Sequence, residues 1–109
     1  MSDEHERLAE KKAALLSAMA NPNRLKILLA LSRGETSVGN LEQYVELSQS
    51  ALSQHLAKLR HDKLVSTRRS AQTIYYATRD PRVLKMLSVL DEIFVQNQRA
   101  GRHAQSSAK

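Results

Sequence analysis

The chain has 109 residues, with 17 Lys and Arg against 11 Asp and Glu, a formal charge of +6 and no Cys. The missing Cys excludes a disulfide framework, a thiolate metal site, a Cys nucleophile and a thiol redox switch. No run of ~18 apolar residues occurs, so no membrane-spanning segment is expected.

The first residues, Met1-Ser2-Asp3-Glu4-His5-Glu6-Arg7, lack the basic stretch and apolar run of a secretory signal, and a cytoplasmic protein is expected. The length predicts one small domain with a modest core. A partner subunit would enlarge that core. The charge is uneven: residues 48–79 hold six basic groups (Lys58, Arg60, Lys63, Arg68, Arg69, Arg79) and one acidic group, Asp62. A concentrated positive stretch attracts a polyanion through counterion release. A solvated basic face with no partner would have the same composition.

Residues 5–20 read as a helix with a stripe of Leu8, Leu15 and Met19, supported by Ala14, Leu16 and Ala18. Asn21-Pro22 ends it and opens the next, since Asn caps well and Pro suits the first helical position. Leu25, Ile27, Leu28, Leu29 and Leu31 predict a short buried helix that stops near Gly34. Ser37 caps a third helix carrying Val38, Leu41 and Val45. Glu46-Leu47 makes a tight turn. Ser48 caps a fourth helix with Leu52, Leu56 and Leu59 on its apolar stripe.

The period then changes. Leu64–Arg69 and Gln72–Thr78 are rich in β-branched and aromatic residues and predict a hairpin around Ser70-Ala71, with Arg68 and Arg69 near its tip. No Gly or Asn marks the turn type. Asp80-Pro81 opens a last helix to about Gln98. The domain is expected to cover 1–98, with 99–109 a disordered basic tail. The expected fold is mainly α with a small β-hairpin, in the order α, α, α, α, β, β, α: a winged helix-turn-helix with the fourth helix as recognition helix.

With Leu52, Leu56 and Leu59 on the core, Ser50, Gln54, Ala57 and His61 point outward. Gln49 and Ser53 lie on one flank and Lys58 on the other. Small, neutral residues at the leading end let a helix enter the major groove, where Gln and Ser hydrogen-bond base edges. His55, beside the Leu stripe, is a packed residue first and a base contact second. Arg68 and Arg69, with Gln72, are candidates for phosphate or minor-groove contacts. They also read as solvated charges that discourage edge pairing.

The last helix has nine apolar side chains among the thirteen residues 83–95; a one-sided surface helix needs ~3 in 7. Val83, Leu87, Leu90 and Phe94 are assigned to the domain's own core. Met86, Val89 and Ile93, with Leu8 and Leu15 of the first helix, are assigned to a homodimer interface.

Three segments carry a family resemblance. Asn21-Pro22-Asn23-Arg24-Leu25-Lys26-Ile27-Leu28, the run Leu47–Arg60 and the hairpin 64–76 resemble the ArsR/SmtB transcriptional regulators over about residues 15–95, most of all their metal-independent branch. The resemblance implies a homodimeric winged-helix protein bound to double-stranded DNA, usually a repressor, with Gln49, Ser50, Ser53 and Gln54 where the family contacts bases. The family's sensing sites do not carry over. Its Cys-Val-Cys run corresponds to Ser37-Val38-Gly39, and its last-helix zinc ligands correspond to Asp91 and Glu92 with only His103 following. The four His (5, 55, 61 and 103) are scattered. No metal, cofactor or catalysis is expected. Two alternatives stay open: an activator that displaces another DNA-bound protein, and a winged-helix module for protein–protein assembly.

Overall fold

Ser2 starts helix α1 (Asp3–Met19) by accepting the His5 backbone N–H on its hydroxyl, and Asp3, Glu4 and Glu6 favour the positive end of the helix dipole. The computed structural model describes residues 2–108, with side chains described through Val95. It divides into two compact units, 1–79 and 80–109.

In the first unit, α1 ends at Ala20 and α2 (Pro22–Ser32) follows at once. Asn21 Oδ1 accepts the N–H groups of Asn23 and Arg24 at 2.9 and 3.0 Å, with Pro22 in the first turn. Arg24 turns back and donates from Nε and Nη2 to the Ala18 and Ser17 carbonyls at 2.7 and 3.2 Å. These are orphan acceptors at the end of α1. The Asn-Pro-Asn-Arg run thus welds α1 to α2 and closes both helix ends.

A two-residue strand, β1 (Thr36–Ser37), leads into α3 (Val38–Val45), where the Ser37 hydroxyl accepts the Asn40 N–H. Glu46 adopts a left-handed conformation with φ 55° and makes the tight turn to α4 (Gln49–His61), capped by Ser48. Ile27, Leu28, Leu41, Val45, Leu52, Leu56 and Leu59 are buried, and α2 packs on α1, α3 and α4. The α4 stripe is as its spacing predicts. Leu25 is half-buried, and Leu29, expected inside, is 37% exposed.

Helix α4 closes with a Schellman motif. Leu64 N–H donates to the Leu59 carbonyl and Lys63 N–H to that of Arg60, with Lys63 at φ 62°. Strands β2 (Ser66–Ser70) and β3 (Thr73–Ala77) form the hairpin. Thr36 and Ser37 of β1 pair with Tyr76 and Tyr75, giving the sheet order β1-β3-β2. The sequence reading missed β1, because two residues show no alternation and Ser37 is also read as a helix cap.

The hairpin turn has two residues, Ala71 and Gln72, since Ser70 pairs with Thr73. Ala71 has φ 56° and, among non-glycine residues, Gln72 is not of positive φ. The left-handed φ of Ala71 favours glycine at the first central position of this two-residue hairpin turn. An L-residue there costs about 1–2 kcal/mol, and glycine gives back roughly 0.5–1 kcal/mol in unfolded-state entropy. Ala71→Gly is therefore expected to raise Tm by a few degrees. Thermal denaturation checks this, and a lowered Tm would refute the turn assignment.

The second unit is helix α5 (Pro81–Ala108), in which Val83 and Leu87 are buried. Its first turn is fixed by Asp80, whose carboxylate accepts the Arg82 N–H at 2.9 Å and pairs with the Arg82 guanidinium at 2.6 Å. This pair holds the Asp80 carboxyl below the usual carboxylate range. Helix α5 continues past the end expected near Gln98, to Ala108; the side chains from residue 96 on, that of His103 among them, lie outside those described. Among the described residues, the fold is five helices and a three-stranded antiparallel sheet.

Candidate nucleic-acid interface

Three elements of the first unit present the candidate residues. On α4, Gln49, Ser50, Ser53, Gln54, Ala57, Lys58 and His61 are exposed, opposite the buried Leu52, Leu56 and Leu59. The first turn of α4 carries no acidic residue, so its N-terminal dipole is open to anions. His55 is half-buried, as its place beside the Leu stripe predicts.

Charge sits toward the other end of α4. Lys58 Nζ lies 3.2 Å from Asp62, and His61 Nδ1 lies 3.4 Å from the same carboxylate. Burial pushes the Asp62 carboxyl up, but the hydrogen bonds from Lys58 and His61 outweigh it and hold it below its ordinary value. Lys58 thus has a counterion on its own helix.

The wing differs from the sequence reading in one respect. Its tip is Ala71-Gln72, and Arg68 lies back in mid-strand, paired across the ladder with Tyr75. Arg68 donates from Nε and Nη2 to the two Glu35 carboxylate oxygens at 3.0 and 2.6 Å. Its guanidinium also lies 4.7 Å from the centre of the Tyr75 ring. The hydrogen bond to Arg68 holds the Glu35 carboxyl below the usual range, and Glu35 raises Arg68 in turn. Arg69 and Gln72 are exposed, and Arg69 makes no ion pair among the described residues. Glu35 was missed from sequence: it stands 33 residues from Arg68, and nothing local marks it.

An open groove of about 450 Å³ lies between the start of α3 and the wing, lined by Ser37, Val38, Gly39, Gln72, Thr73 and Ile74. Its polar side chains are hydroxyls and one amide. Among the described residues, no three His, Cys, Asp or Glu side chains stand together in a metal-binding group.

The apolar surplus is visible in each unit separately. On α1, Leu8 is 43% and Leu16 51% exposed, while Leu15 is half-buried. On α5, Met86 and Val89 are half-buried, Ile93 is 46% exposed and Phe94 is 63% exposed. Phe94, assigned from sequence to the core, is open in the single chain.

Residues 21–67, from the α2 cap to the start of the wing, match the profile described as "Bacterial regulatory protein, arsR family". The nodulation protein NolR of Rhizobium meliloti is 59% identical over 86 residues, which are 79% of this chain and 70% of NolR. The chain belongs to the ArsR family. The transcriptional activator HlyU of Vibrio cholerae is 50% identical over 93 residues, covering 85% of this chain and 86% of HlyU. The crystal structure of NolR from Sinorhizobium fredii matches with a TM-score of 0.81 at 56% identity, covering 86% of this chain and 94% of that one. The solution structure of Mb0332 from Mycobacterium bovis, described as a homodimeric winged helix-turn-helix DNA-binding domain, matches with a TM-score of 0.78 at 25% identity, covering 92% and 93% of the two chains. The fold is that of a winged helix, and proteins of this family are regulators rather than enzymes. Among the described residues, no helix is long and apolar enough to cross a membrane.

Proposed function

We propose that this ArsR-family protein is a sequence-specific, homodimeric transcription regulator that represses by covering an inverted-repeat operator. The observation that carries the reading is the exposed face of α4: Gln49, Ser50, Ser53 and Gln54, neutral and small, with no carboxylate in the first turn. Such a face fits the major groove and offers hydrogen bonds to base edges. Gln49, Ser50, Ser53 and Gln54 read bases, with His55 a secondary contact. Arg69 supplies affinity, Lys58 adds to it where a phosphate displaces Asp62, and Gln72 approaches the backbone from the wing tip. The dimer is formed by Leu8 and Leu15 on α1 and by Met86, Val89 and Ile93 on α5. The protein acts where the chromosome is, in the cytoplasm.

A second reading follows from the description of HlyU as an activator: the same dimer raises transcription by displacing another DNA-bound protein. Run-off transcription with purified polymerase separates the two. Repression is expected from the protein alone. Activation that requires a second bound protein would favour the alternative.

Regulation is metal-independent. The chain has no Cys, and Ser37-Val38-Gly39 offers hydroxyl and backbone where zinc needs clustered Cys, His or carboxylate ligands. Zinc, cadmium, arsenite, peroxide and reductant are each expected to leave operator affinity unchanged in an anisotropy titration. Release of DNA at near-stoichiometric zinc would refute this, and Asp91, Glu92 and His103 would then be the first residues to substitute.

A further inference from the structure

We propose that Glu35 and Arg68 form a positioning pair that fixes the angle of the wing. The wing's phosphate contact is then carried by Arg69 rather than by Arg68. The inference rests on the DNA-binding reading above and assigns a role to an acidic residue beside the basic wing.

The sheet has three strands only as far as the row Ser37–Tyr75–Arg68. Beyond that row, from Arg69–Ile74 to the tip, the wing is a two-stranded hairpin. A hairpin of that kind is marginally stable alone and takes its direction from its base. Arg68 stands at that base. Its guanidinium crosses β3 over the Tyr75 ring and is held by both Glu35 oxygens, so β2 is tied to the segment just ahead of β1. The fork geometry of the pair fixes direction as well as distance.

The same contacts remove Arg68 from the phosphate inventory. Its Nε and one side of Nη2 are taken, and its charge is balanced at 2.6 Å. Counterion release follows the positive charge delivered to phosphates, and a pair that stays closed delivers none. Arg69 is the next residue outward. Alternation along β2 puts it on the other face of the strand, exposed and without an ion-pair partner among the described residues.

The test is binding of a random-sequence duplex, long enough to span both recognition helices, to wild type, Glu35→Ala, Arg68→Ala, Arg69→Ala and their pairwise combinations across a salt series. Removing an acid beside a polyanion should strengthen binding if charge alone acts. Positioning predicts the opposite sign: Glu35→Ala and Arg68→Ala each weaken binding by on the order of tenfold. Their double variant is no worse than either, and neither matters once Arg69 is alanine. A gain in affinity for Glu35→Ala would overturn the proposal. So would additive losses for Arg68→Ala and Arg69→Ala, because Arg68 would then hold its own phosphate. Amide hydrogen exchange without DNA gives a separate arm, in which residues 69–74 should exchange faster in Glu35→Ala. If wild type binds no DNA, the functional reading fails while this arm still decides whether the pair holds the wing. Unchanged exchange overturns the pair's role.

Discussion

Ile93→Asp is expected to turn the dimer into monomers at micromolar concentration and to abolish operator binding. In the single chain the side chain is 46% exposed on a helix whose neighbouring Phe94 is 63% exposed. Exposed apolar groups of that size in succession mark a surface meant to be covered. Two-fold pairing makes the interface isologous, so each substitution is felt twice. An unpaired carboxylate caught in such an interface costs roughly 3 kcal/mol. Two of them raise the dimer dissociation constant by about four orders of magnitude. Because each half-site contributes little alone, the monomer then falls toward non-specific affinity. Ile93→Leu keeps the apolar volume and should keep the dimer. Light scattering with both variants checks the assignment. A monomeric wild type, or an Asp variant that stays dimeric, removes α5 from the interface.

The second large effect separates reading from holding. Gln54→Ala is expected to cost about 1–3 kcal/mol on the best operator and to relax preference at one or two base positions in each half-site. It removes no charge, so binding to random sequence should hardly change. Arg69→Ala should weaken binding to every sequence and lower the salt slope by about one for each phosphate no longer neutralised. The side chains differ in the structure as the predictions require. Gln54 is exposed on α4 opposite the buried Leu52 and Leu59, and Arg69 stands exposed on the wing with no ion-pair partner among the described residues. Equal losses on specific and random DNA for Gln54→Ala would end the base-reading assignment. An unchanged salt slope for Arg69→Ala would make that charge merely solvated.

What was legible in the sequence is what local chemistry controls. Asn21, Ser37 and Ser48 cap helices because their side-chain oxygens meet orphan N–H groups within three residues, and the Leu52, Leu56 and Leu59 stripe needs only the helical period. The β-branched and aromatic residues of 64–69 and 72–78 marked the hairpin. Long-range and conformational features escaped. Strand β1 is two residues long, and its partners Tyr75 and Tyr76 lie about forty positions on. The Glu35–Arg68 pair joins residues that are distant in sequence, and the strand register sets Arg68 back from the wing tip. The turn at Ala71 lacks the glycine that would announce it. Phe94 shows a different limit. Periodicity says that a helix has two apolar faces without saying which residues stay open in the single chain.

Selection of bound duplexes from a random DNA pool, followed by sequencing, shows directly whether the protein reads a two-fold site through α4. A homodimer with two α4 helices presents them about 34–36 Å apart, or a multiple of that. An inverted repeat whose half-site centres match that spacing should be enriched. The same selection with Gln54→Ala should yield a degenerate version of the repeat. A pool that stays random after repeated rounds, or one that converges on a single site without two-fold symmetry, would contradict a dimer that reads DNA through α4.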